Sequence, residues 1–287
     1  MAKQQNQLFG IILMIICSIF ITISWAGVKL AGQTLPLFEI VFFRAFFSCL
    51  FLLPLMLKRS HSLKPKQPKL LLIRSFFGAV SMIMIFYSLK YFEIGNTSAL
   101  FNTMPIFVAL LAPLLSTESF HRKSFFMILI SFVGICLIVK PDSNLLSNEA
   151  LMALGSAFFM AIATVQLRKL YTTENTAMIT FYFAAMMALL SLISCILDYT
   201  HPSLFEWGLL LTVGVTVTIA QLLGTKAYDY GDATIITPFS YVTVILSYLL
   251  GVLFWNEVPD LASIFGALII TLSGVLILRG RSGSKLQ

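Results

Sequence analysis

The chain has 287 residues, of which 59% are hydrophobic and 11% charged, and its mean hydropathy is +0.94. An ordinary soluble domain carries about 25% charged residues, so this composition excludes a water-soluble fold and makes a lipid bilayer the solvent. The formal net charge of +7 calls for no nucleic acid or other anionic partner, because the placement of the basic residues accounts for it.

A chain inside a bilayer must satisfy its backbone internally, through helices or a closed barrel. The apolar runs here do not alternate, and they continue for about 20 residues, the length of a spanning helix and about twice that of a spanning strand. In chain order they predict ten helices, over 8–30, 36–57, 70–90, 94–115, 124–140, 148–168, 176–198, 206–228, 233–254 and 261–279. The first run, Leu8 to Ala26, is longer than the apolar part of a typical signal peptide and lacks a small-x-small cleavage site. It is expected to be a retained span. The four cysteines, Cys17, Cys49, Cys136 and Cys195, all fall inside apolar runs without metal spacing and read as small buried hydrophobes.

Lys and Arg favour the cytoplasmic side of a membrane. With the N-terminus inside, the inner ends carry Lys3, Lys58, Arg59, Lys64, Lys66, Lys69, Arg74, Arg122, Lys123, Arg168, Lys169, Lys226, Arg279, Arg281 and Lys285. The outer ends carry Lys29, Lys90 and Lys140. This bias predicts both termini in the cytoplasm and explains the basic balance.

The chain also repeats itself, a feature to be sought before any other. KYFEIGNTSALFNTMP, from Lys90 to Pro105, returns 136 places later as KAYDYGDATIITPFSY, from Lys226 to Tyr241. At offset 140, Lys29–Leu30 falls on Lys169–Leu170, Phe42–Phe43 on Tyr182–Phe183 and Gly134 on Gly274; Glu118 falls on Glu257 at 139. Each half, 1–143 and 144–287, holds five predicted spans. Five is odd, so the second half enters from the opposite face and the halves are inverted repeats. That architecture suits carriers with a binding site near the bilayer midplane.

These features resemble a known family. LPLFEIVFFRAFFS (Leu35 to Ser48) in span two, the Glu118 and Glu257 hairpins, Phe132–Gly134 and Ser273–Gly274 in spans five and ten, and the two-times-five layout are similar to bacterial EamA-like carriers of the drug/metabolite transporter superfamily. The resemblance implies ten helices around a central cavity lined chiefly by spans one, three, four, six, eight and nine. Within the family, Phe38 to Arg44 also resembles carriers of S-adenosylmethionine uptake.

Polar groups present in one half only are candidates for specialisation. Arg44 lies about eight residues into span two, roughly 12 Å at 1.5 Å per residue, and its counterpart at offset 140 is Ala184. An intramembrane Arg usually faces a cavity, a partner or a pathway, so Arg44 is expected either to bind an anionic substrate group or to sit in a structural ion pair. Glu39 follows Pro36 in the first helical turn, where an acid suits the helix dipole. It could also carry a coupling proton. Ser18, Thr22, Trp25 and Lys29 form one stripe of span one. Trp25 suits a cavity wall, and Lys29 reads as a snorkelling residue at the interface.

Further candidates for substrate contact are Tyr87, Asn102, Gln166, Gln221 and Tyr241. Gln221 stands on a face of span eight with Gly214, Thr218 and Thr225. Amides at this depth serve equally as glue between helices. Pro105 and Pro238 are expected to kink spans four and nine, and kinks at matching places in two repeats point to a binding region. Glu118 and Glu257 read as scaffold caps. Gly266, Ala267, Thr271 and Gly274 suit close packing, inside the fold or at a homodimer interface.

His61, His121 and His201 all fall between spans, and neither a GxxxxGK[ST] loop nor a metal-binding cluster is present, so no cofactor, metal or ATP motor is expected. The expected protein is an all-α, multi-pass carrier of a bacterial inner membrane and not an enzyme. It would move a small organic metabolite such as an amino acid or derivative, with S-adenosylmethionine or a nucleoside-type compound as the alternative cargo. An intramembrane enzyme or a receptor is the alternative of another class.

Overall fold

A computed structural model describes residues 2–58, 65–115, 122–139, 147–170, 173–227, 230 and 236–282. All regular structure among them is helical: α1 (Ala2–Ala31), α2 (Leu37–Lys58), α3 (Pro68–Tyr91), α4 (Ile94–Phe101), α5 (Met104–Leu115), α6 (Arg122–Val139), α7 (Asn148–Leu170), α8 (Thr176–Leu197), α9 (Leu204–Ala227), a 3₁₀ turn (Thr237–Tyr241), α10 (Val242–Trp255) and α11 (Leu261–Ser282). Six of them, α1, α2, α3, α7, α8 and α9, contain stretches long and apolar enough to cross a membrane, and shorter apolar helices cover Leu129–Ile138, Phe239–Trp255 and Leu261–Leu276. Glu118, Asp229, Gly231 and Thr234 lie outside the described residues.

Local chemistry sets the ends. Pro68 opens α3, where its missing N–H leaves no bond unmade. The Asn175 side chain caps α8 by accepting the Ala177 N–H at 3.1 Å. Asn256 ends α10 in the left-handed region at φ 54°, a conformation asparagine tolerates better than most residues. The fourth predicted span is not one helix. α4 ends at Phe101, Asn102 and Thr103 form a turn, and α5 restarts at Met104 with Pro105 in its first turn. In the second half Pro238 falls inside the 3₁₀ turn that leads into α10.

The main helix pairs each join one helix from either half: α1 with α9, α3 with α7, α2 with α8, α4 with α10 and α6 with α11. Apolar surface gives helices no net attraction inside lipid, so small residues and hydroxyls must bring them together. Gly134 of α6 and Gly266 of α11 cross so closely that a Cβ on Gly134 would stand 2.8 Å from the Gly266 carbonyl oxygen. Gly266 is thus used inside the fold. Ser81 donates to the Ser156 carbonyl across α3 and α7 at 2.7 Å, and Thr218 meets Ser48 across α9 and α2 at 2.9 Å. The largest apolar cluster, with Val28, Ile40, Phe86, Phe183 and Leu210, lies among α1, α2, α3, α8 and α9.

Candidate functional site

A half-open cavity of about 300 Å³ lies among the helices, within the size range of a small-molecule site. α1 contributes Met14, Cys17, Ile21 and Trp25; α3 contributes Arg74 and Met82. The α4–α5 break contributes Phe101, Asn102 and Met104, and α7 contributes Met160 and Leu167. α9 contributes Gln221, Gly224 and Thr225, and the turn before α10 brings Ser240, with Thr243 behind it. These are the spans the sequence anticipated. α8 adds a wall that was not anticipated, made of Thr176, Ile179, Thr180 and Phe183.

The lining runs from mid-bundle toward one end. Arg74 is early in α3, Thr176 opens α8, Leu167 is near the end of α7, and Thr225 is near the end of α9. The opposite end, where α1 and α3 finish, is cross-linked by polar contacts. Lys29 pairs with Glu257 at 2.5 Å and donates to the Phe92 carbonyl at 2.5 Å. The second Glu257 oxygen accepts the Ile94 N–H at 3.0 Å, and Lys90 donates to the Leu35 carbonyl at 2.9 Å. Lys29 is therefore not a snorkelling residue: it is 7% exposed and ion-paired. Glu257 bridges α1 of one half to the α10–α11 turn of the other.

Of the sequence candidates, Trp25, Asn102 and Gln221 line the cavity. Trp25 packs edge-on against Phe101 with ring centres 5.6 Å apart. The Asn102 side-chain amide donates to the Ser98 carbonyl at 2.8 Å, and the Asn102 backbone carbonyl accepts the Tyr241 hydroxyl at 3.4 Å. Tyr241 stands one layer behind the wall and borders a separate apolar crevice between α10 and α11. Gln166 lies beside the lining residue Leu167, with a buried Oε1 that no described group meets. Tyr87 packs on Tyr91 at 4.9 Å, outside the described lining. On α9, Gly214 and Thr218 serve the contact with α2, while Gln221 and Thr225 of the same face reach the cavity.

Arg44 and Glu39 lie elsewhere. Arg44 is 1% exposed and outside the described lining. Its Nη1 donates to the Met187 sulfur at 2.9 Å, and its Cζ lies 5.2 Å from the Phe86 ring centre. No ion pair to Arg44 occurs among the described residues. Glu39 is fully buried, and one of its oxygens accepts both the N–H and the hydroxyl of Thr200, at 3.1 and 2.9 Å. It fastens the segment after α8 to the start of α2.

The basic residue that does face the cavity is Arg74, whose Cζ lies 4.7 Å from the Phe183 ring centre. In the sequence it counts only among the basic residues at the inner ends of spans. The comparison of halves that singled out Arg44 could have found it, since Gly214 stands at the same offset from Arg74, and Pro68 places it about two turns inside the helix. Among the described residues no cluster of metal-binding side chains is present.

A multi-pass helical protein with a small cavity among its helices, charged at one point and cross-linked at one end by an ion pair, has the form of a membrane carrier. The comparisons narrow this. A model of the EamA-like transporter family matches the chain twice, over residues 8–140 and 147–279, and the chain belongs to that family. It is 33% identical to the pseudopaline exporter CntI of Pseudomonas aeruginosa over 96% of this chain and 97% of that protein. It is 28% identical to the S-adenosylmethionine uptake transporter of Rickettsia bellii over 84% of both chains. One solved crystal structure superposes with a TM-score of 0.64 over 95% of this chain and 96% of its own, at 18% identity, a likeness of fold.

Proposed function

We propose that the protein is a secondary carrier that moves a small organic anion across a bacterial inner membrane by alternating access. The observation that carries the reading is Arg74, the one charged side chain among the described residues that line the central cavity. Around it stand an aromatic pair, Trp25 and Phe101, the amides of Asn102 and Gln221, and the hydroxyls of Thr176, Thr180, Thr225 and Ser240. A guanidinium offers a planar fork suited to a carboxylate or phosphate. The rings suit a planar or apolar part, and the amides and hydroxyls orient it.

Ten spans in two inverted repeats, 1–143 and 144–287, are the architecture this reading uses. The doubled family match and the pairing of every main helix with one from the other half support it. With both termini in the cytoplasm, as the basic residues favour, the cavity reaches toward the cytoplasm and the Lys29–Glu257 contact closes the outer end. Pro105 and Pro238 stand at the interrupted helices and act as hinges. No carboxylate lines the cavity among the described residues, so exchange or facilitated movement fits better than proton symport. The relatives named for pseudopaline export and S-adenosylmethionine uptake support a metabolite cargo.

The test is counterflow in proteoliposomes preloaded in turn with carboxylates, amino acids, S-adenosylmethionine and nucleotide sugars. One anionic class should accumulate, and Arg74→Met should weaken its apparent affinity by roughly 10- to 100-fold, the value of a charge-assisted hydrogen-bonded contact. Equal accumulation by the Arg74→Met protein would refute the anion anchor.

A further inference from the structure

One fully buried charge has no part in this reading. Arg44 can donate five hydrogen bonds. Among the described residues its surroundings are the Met187 sulfur, the Phe86 ring 5.2 Å from Cζ and the Phe183 ring 6.0 Å away, and its buried Nε has no hydrogen-bond partner. Burying a cation without an anion to pair it is costly, and a thioether with two ring faces offsets little of that cost. Scaffolding does not require the charge, because Ala184 stands at the matching position of the other half.

One ring, that of Phe183, touches both the cavity and Arg44. Phe183 lines the cavity, and the guanidinium carbons of Arg74 and Arg44 lie 4.7 and 6.0 Å from its centre. Phe183 and Met187, the two α8 side chains on Arg44, are one helical turn apart.

We infer that Arg44 is a second anion-binding residue of the cavity, covered by Phe183 in this state, and that the substrate is an organic dianion held by Arg74 and Arg44 together once the ring turns aside. The inference rests on the reading of Arg74 as the first anchor. It explains why an unpaired guanidinium is retained: a second acidic group supplies the missing partner during transport.

The full chain in lipid nanodiscs would be titrated with matched pairs, butyrate against succinate and benzoate against isophthalate, and binding read from the shift in thermal unfolding. At least one dianion should bind roughly tenfold or more tightly than its monoanion, as one further charged hydrogen-bonded contact provides. Arg44→Met should remove that preference, so that the dianion binds no more tightly than its monoanion. Arg44→Lys serves the same purpose if the Met variant fails to fold, and should reduce the preference because the fork is lost. Phe183→Leu, which thins the partition, should keep or increase it. Monoanion binding that depends on Arg74, with no dianion favoured or with a preference untouched by both Arg44 variants, overturns the second anchor alone. No binding of either kind to folded protein overturns the first anchor and this inference with it.

Discussion

The Lys29–Glu257 contact at the end of the bundle opposite the cavity gives the sharpest test of the proposed alternating-access cycle. Lys29 and Glu257 meet at 2.5 Å with side chains 9% and 16% exposed, and both are also held by backbone groups of the α3–α4 turn. Breaking one partner of a buried ion pair costs about 3–5 kcal/mol, because the survivor is left charged and dry. Glu257→Gln keeps an acceptor for the Ile94 N–H and removes only the charge, so the lower end of that range, about 3 kcal/mol, is the better estimate. If the pair exists only while the outer end is closed, its loss shifts the balance between closed and open outer ends by roughly 100-fold. Ile21 lines the cavity and is half-buried, so Ile21→Cys serves as the reporter once Cys17, Cys49, Cys136 and Cys195 are replaced by Ser. A membrane-impermeant thiol reagent should label that position from the cytoplasmic face of inverted vesicles when Lys29 and Glu257 are intact. In Glu257→Gln, labelling from the outer face should rise by at least tenfold. Lys29→Met should do the same, and the double variant should add little, because both act on one contact. Unchanged labelling from either face, in variants that fold and insert normally, would refute the role of the pair in closing the outer end.

Two further outcomes follow from the packing. Gly134→Leu or Gly266→Leu should lower the thermal stability of the detergent-solubilised protein by about 3 kcal/mol or prevent its folding, since each side chain would enter the backbone of the facing helix. Gly208→Leu should be nearly silent, because nothing lies within 4 Å of a Cβ there. Glu39→Gln retains an oxygen for Thr200 and should leave counterflow and its pH dependence intact, whereas Glu39→Ala should cost about 1–3 kcal/mol of stability by removing the charged acceptor that holds Thr200. Loss of pH dependence in the Gln variant would restore Glu39 as a proton site.

The sequence by itself determined the helical membrane character, the family and the approximate limits of most helices. A composition so poor in charge leaves few other ways to satisfy the backbone. It also picked out Trp25, Asn102 and Gln221, because polar or amphipathic groups inside an apolar helix must face protein or water. It could not tell which buried arginine faces the cavity. In soluble helices an apolar stripe reveals the inward face, but in lipid the outward face is equally apolar and the signal vanishes. Rotation about each helix axis is then decided by packing: Gly134 against Gly266, Ser81 against the Ser156 carbonyl, Thr218 against Ser48. Those contacts place Arg74 on the cavity and turn Arg44 toward Phe86 and Met187, residues 42 and 143 positions away in the chain. They also make α8 a cavity wall. The roles of Lys29 and Glu257 were hidden for the same reason, because each is an ordinary helix-end charge until the fold brings α1 against the α10–α11 turn.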